Sequence, residues 1–213
     1  MTGFFKAAPA TIAIAGITAM VSLIVTLLGL EQHAALYAGF MPARASLGLA
    51  GDLPGLVPVI LTPLSATLIH GGPLHLAFNL VTLVSCGVAT EHALGSRGVM
   101  ILYLLGAYAA CVAQWAVAPQ SPVPMIGASG AASAVVGAYA LLYGRQRTSD
   151  VGPVPGWLLH VLWLLAAWTV LNLAIGVLSV RAGMPIAAAP PVGGFLLGLI
   201  LCRPLLLWRW RGA

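Results

Sequence analysis

Charge is what this sequence has least of. Four acidic and nine basic side chains serve 213 residues, or 6%, against about 25% in an ordinary soluble domain. A globule in water covers itself with polar side chains, and so few cannot do it. A cytosolic or secreted globular protein is therefore excluded. Disorder is excluded as well, because it requires low hydrophobicity, and here 61% of residues are hydrophobic with a mean hydropathy of +1.03. Cysteine is also scarce. Cys86, Cys111 and Cys202 all fall within apolar runs. They have no metal-ligand spacing and, being odd in number, form no disulfide framework. They read as small buried apolar residues. The net charge of +5 does not mark a nucleic-acid binder, because no basic patch interleaved with aromatics accompanies it.

What the sequence does have is a series of segments, apolar all round and about 20 residues long. That length suits membrane helices, whereas barrel strands would alternate polar with apolar residues. The pattern predicts an all-α membrane protein of six spans forming a single domain over residues 1–213. The spans are Ala10–Leu30, Pro73–Thr90, Val99–Ala118, Ile126–Gly144, Trp157–Val180 and Pro190–Trp208. With the N-terminus inside, the inner side holds Lys6, Arg97, Arg145, Arg147, Arg203, Arg209 and Arg211, and the outer side only Arg44 and Arg181. The positive-inside rule then places both termini in the cytoplasm. The long outer loop, Glu31–Gly72, is apolar but broken by Pro54, Pro58 and Pro63. It is expected to dip into the interface rather than cross.

Polar groups inside spans are costly, so they are the informative ones. His75 and Asn79 are spaced i and i+4 and share one helix face, with His70 just before them. Helix–helix hydrogen bonding is the alternative reading of such a pair. The fourth span opens on Gly127-Ala128-Ser129-Gly130. Flanking glycines let a ligand or another backbone approach a serine, although small residues here also suit helix packing. Gln114, His160 and Asn172 each stand alone in other spans and read as structural.

Taken together, His70-x4-His75-x3-Asn79 and the later Gly-x-Ser-Gly run resemble the rhomboid intramembrane serine proteases. Leu68–Asn79 looks like that family's second-helix motif. Glu91-His92-Ala93-Leu94-Gly95 looks like its turn into the third helix, and Pro124–Ala131 like its nucleophile motif. Gly193-Gly194-Phe195-Leu196-Leu197-Gly198 looks like its sixth helix. The resemblance covers about the last three-quarters of the chain. It implies a six-transmembrane-helix rhomboid-like bundle in the bilayer, in a bacterial inner membrane, acting on transmembrane segments of other membrane proteins.

The resemblance further implies a Ser–His dyad chemistry that needs no cofactor beyond water. Ser129 becomes the nucleophile, and His75 and Asn79 become oxyanion donors. His70, Gly127 and Gly130 become supporting residues. The family's dyad histidine opens the sixth helix in the pattern Ala-His-x-Gly-Gly-Phe-x-x-Gly. The same register here reads Pro190-Pro191-Val192-Gly193-Gly194-Phe195, so the histidine position is Pro191. Proline cannot accept a proton from serine, yet it is tolerated in a first helical turn. His160 sits near the inner end of its span, roughly 20 Å from Ser129 at 1.5 Å per residue. The expectation is a rhomboid scaffold impaired in proteolysis. An active protease with an unconventional base is the alternative, and a small transporter subunit a third reading.

Overall fold

In the computed structural model the protein is helical, and residues 8–144, 150, 153–181 and 187–211 are described, without the side chains of 49, 175, 176 and 178–181. The elements are α1 (Pro9–Leu27), α2 (Glu31–Ala38), α3 (Pro42–Ser46), α4 (Thr62–Ser65), α5 (Pro73–Val117), α6 (Ser129–Tyr143), α7 (Gly156–Arg181) and α8 (Ala189–Arg209). Short 3-10 turns at Gly48–Gly51, Val59–Leu61 and Ala66–Leu68 fill the long loop. Prolines stand in the first turns of α1, α3, α4, α5 and α8. There the missing N–H would have had no intrahelical partner.

Among the described residues, four helices are long and apolar enough to cross a membrane: Pro9–Leu27, Pro73–Val117, Gly156–Ala174 and Ala189–Arg209. Ser129–Tyr143 is a shorter apolar helix. The second and third spans read from sequence are the two limbs of α5, which meet at a kink at Gly95, where φ is +74° and ψ 167°, outside the helical range. Only glycine adopts that conformation easily. The fourth span starts at Ser129 rather than Ile126. Gly127, at φ +107°, turns the chain just before it.

The core is the packing of α5, α6 and α8. A side chain on Gly194 would strike the Gly130 carbonyl, and one on Gly198 the Ala134 carbonyl. Backbones this close are how helices gain dispersion contacts where lipid supplies no hydrophobic drive. α6 is accordingly lined by small buried residues: Gly130, Ala131, Ala132, Ser133, Ala134 and Ala138. α1 adds a stripe of Thr11, Ala15, Thr18 and Ser22, all buried. The stripe follows the helical repeat and meets α5 where Thr11 packs on Gly87. α7 is peripheral. It holds α8 through Trp168, whose ring stacks on Phe195 at 5.1 Å between centroids.

The long loop is folded, not loose. Phe40 pairs with Met125 as an isolated bridge, Ala43 N–H donates to Ser121 O, and Gly127 N–H donates to Ala66 O. The loop therefore seals the Ser129 end of the bundle. Arg44, counted from sequence as an outer charge, is buried there. It donates to Gly51 O and Val57 O at 3.1 Å each. Arg97 and Arg209 lie at the opposite end, around the Gly95 bend. The α1 start and the α8 end both reach that end, through Glu91 and through Trp210 Nε1 on Ala93 O. Lys6, Arg145 and Arg147, which also entered the charge count, lie outside the described residues, as does the side chain of Arg181.

Candidate active site

His70 anchors the approach to α5. It is fully buried and bonded at both ring nitrogens. The Ala128 N–H donates to Nε2 at 3.3 Å, and Ser22 Oγ lies 3.2 Å from Nδ1. An Nε2 that accepts leaves the proton on Nδ1, which then donates to Ser22. The ring thus joins α1, the approach to α5 and the turn into α6. Burial, and secondarily the neighbouring His75, lower its pKa from 6.5 to about 4.

This shift has a thermodynamic consequence. Between the folded value near 4 and the unfolded value near 6.5, the unfolded chain binds more protons. Stability therefore rises with pH across that window and is lost as pH falls through it. Full acidification is expected to remove about 3 kcal/mol. Thermal melts between pH 7.5 and 4.5 check this. The midpoint of wild type should fall more steeply than that of His70→Asn. Parallel profiles would show that His70 is not held neutral.

His75 opens α5 beside His70, with ring centroids 5.0 Å apart. Its Nδ1 faces the Gly71 N–H at 3.4 Å, a long contact. A Cβ on Gly127 would sit 2.7 Å from His75 Nε2, so only glycine fits under the ring. Asn79 follows one turn later and is buried. Its Nδ2 donates to His75 O at 2.9 Å, while its Oδ1 has no partner among the described residues. A buried amide oxygen without a donor is costly, and sites that bind a ligand or a water commonly keep such a group.

Ser129 is the first residue of α6 and is half-buried. Its hydroxyl makes no hydrogen bond among the described residues; its carbonyl accepts from Ser133 Oγ at 2.6 Å. Helix N-termini carry free N–H groups and a positive partial charge. Such donors suit an oxygen that gains charge during reaction. The fold brings Gly127, Ala128 and Ser129 together with His70 and His75, and sets Asn79 on the same face below.

Pro191 is buried in the first turn of α8, next to Pro190, which packs on Gly130. Its carbonyl accepts from Trp168 Nε1 at 3.1 Å. Nothing at this position takes a proton. His160 lies against Gly144, at the far end of α6, about 20 Å from Ser129 at 1.5 Å per residue. Sequence reasoning did not find Ser22, Trp168 or the role of Glu91. Ser22 carried a signal in the Thr11–Thr18–Ser22 periodicity; Trp168 carried none.

Similarity to known proteins bears on the same residues. The Rhomboid domain family model matches residues 58–208. The chain is also 39% identical over 84 residues to the Rhomboid protease GluP of Bacillus subtilis (strain 168). That stretch is 39% of this chain and 15% of the relative's length. Several apolar helices make the protein integral to the membrane, and the bacterial relative supports an inner-membrane location. With most of its helical core inside the matched region, from the 3-10 turn at Val59 to Trp208, the chain belongs to the rhomboid family.

Proposed function

We propose that this chain is a rhomboid scaffold that engages transmembrane segments of other membrane proteins and cleaves them poorly or not at all. In this reading residues 1–213 form one domain that crosses the bilayer six times, with both termini cytoplasmic. The two limbs of α5 count as two crossings and α6 as a third. Ser129 is the nucleophile position. His75, Asn79 and backbone N–H groups at the start of α6 are the oxyanion donors. His70, Gly127 and Gly130 hold the turn that presents Ser129.

The observation that carries the proposal is Pro191. It is buried at the head of α8, in the register where the family pattern has its proton acceptor. No neighbour replaces it. His70 spends both ring nitrogens on Ser22 and Ala128. His75 serves in this scheme as a donor, and converting it to a base would remove one of the oxyanion donors.

A fluorophosphonate probe tests the proposal directly. Purified full-length protein should label no more than Ser129→Ala does, and should leave a generic rhomboid substrate uncut. Labelling or cleavage that disappears in Ser129→Ala would establish instead an active protease with an unconventional base.

A further inference from the structure

The end of the bundle opposite Ser129 carries a second polar feature. A cleft of about 380 Å³ lies between the Gly95 bend and the last turn of α8, lined by Leu94, Gly95, Ser96, Arg97, Trp208 and Arg209. The Arg209 guanidinium occupies the notch that Gly95 leaves by having no side chain. A Cβ there would lie 3.0 Å from Arg209 Cζ and closer still to Nη1. Trp210 backs the same guanidinium, with Cζ 5.5 Å from the ring centroid. Its indole N–H donates to Ala93 O at 3.3 Å, fastening the end of α8 to the bend.

Neither arginine of the cleft is neutralised by a described residue. Among the described residues, no carboxylate pairs with Arg97 or Arg209 and no hydrogen bond holds either one. Only four acidic residues exist in the chain. Of the two described at this end, Glu91 accepts from Ala10, Thr11 and Ser96, and Asp150 accepts from the Gly156 N–H. Arg209 does offset the carbonyl end of α8, and its guanidinium lies against Gly95 in the lining of the cleft. Two forked cations beside two half-exposed tryptophans suit the headgroup level of a bilayer. Met100 and Leu207, on the two helices that form the cleft, are exposed apolar side chains.

We infer that this cleft binds the phosphate of an anionic phospholipid, held between Arg97 and Arg209 at the Gly95 bend. Binding here needs neither Ser129 nor a base at position 191, so it stands apart from the catalytic reading. The lipid would tie the two limbs of α5 to the end of α8.

Native mass spectrometry of the detergent-purified full chain tests this with phosphatidylglycerol and phosphatidylcholine added in turn. Wild type should retain the anionic lipid on the order of tenfold better, as two arginines near a charged surface imply. The double variant Arg97→Ala/Arg209→Ala should lose the preference. Arg203→Ala, an exposed cation of α8 that does not line the cleft, should keep it. Equal retention of both lipids by wild type, or a preference that survives the double variant, overturns the inference. If the double variant does not fold, Arg209→Gln is read in its place, and the wild-type comparison decides on its own. Displacement of bound phosphatidylglycerol by millimolar inorganic phosphate would assign the cleft to a soluble anion and refute the lipid.

Discussion

Changing Pro191 to histidine is expected to raise Ser129-dependent cleavage of a rhomboid substrate by at least about 100-fold, the lower end of what a general base contributes. The ceiling is higher, since losing the base of a soluble serine protease costs on the order of a million-fold in kcat. The structural case rests on how little else must change. Position 191 is in the first turn of α8, where the proline nitrogen completes no intrahelical bond, so histidine loses nothing by restoring the N–H. α8 lies against α6 with backbone contact at Gly194–Gly130 and Gly198–Ala134. That contact fixes the head of α8 relative to the first turn of α6, where Ser129 stands. The Trp168 bond is to the Pro191 carbonyl, which any residue retains. Cleavage by Pro191→His and its loss in Pro191→His/Ser129→Ala should be measured in the same vesicles. An unchanged rate in a folded Pro191→His variant would mean that the scaffold is not poised for acyl transfer, and the missing base would not be the reason for inactivity.

Much of this arrangement was legible from the residues. The scarcity of charge gave the class, and His70, His75, Asn79 and Ser129 were singled out by spacing together with family resemblance. The limits of that reading have physical causes. Hydropathy averages over a window, so it places a break only to within several residues. The gap read between Thr90 and Val99 contains the break, which the structure narrows to Gly95 at φ +74°. The charge count used Arg44 only as an outer charge and carried nothing about its burial. Arg44 is a buried clasp between the 3-10 turn ending at Gly51 and Val57, because a proline-broken loop has carbonyls to satisfy and few other donors near them. His70 was recognised from its motif, but its partner was not. Ser22 lies 48 positions earlier, and contacts over such separations are set by tertiary packing alone. Glu91 is the clearest case. As sequence it was one letter of a turn motif, while in the fold its two oxygens collect four donors from two helices.

Replacing Glu91 with alanine is expected to destabilise the protein by about 3–5 kcal/mol, the range for breaking a buried charged network from one side. Thermal melting should fall by roughly 10 °C for a chain of this size. The first-turn N–H groups of α1 have no local cap, since Ala8 offers no side-chain acceptor. Glu91 supplies it from α5, accepting Ala10 N–H at 2.9 Å and Thr11 N–H at 2.8 Å. It also takes the Thr11 hydroxyl at 2.7 Å and, across the Gly95 bend, the Ser96 hydroxyl at 2.6 Å. A negative charge at a helix N-terminus is favourable in itself, and alanine would leave three buried donors and the half-buried Ser96 hydroxyl without this acceptor. Glu91→Gln keeps a single acceptor oxygen and should cost less. A shift under about 2 °C for Glu91→Ala would refute the network's importance. The effect should also reach the Ser129 end, because α1 carries Ser22 to His70 and His70 holds Ala128. Sites about 17 Å apart along a helix normally behave additively. If α1 docks as one rigid unit, Glu91→Ala and Ser22→Ala will instead be coupled by more than about 0.5 kcal/mol. Strict additivity in that double-mutant cycle would mean that the two ends of α1 are anchored independently, and that the serine turn owes nothing to the carboxylate at the far end of the bundle.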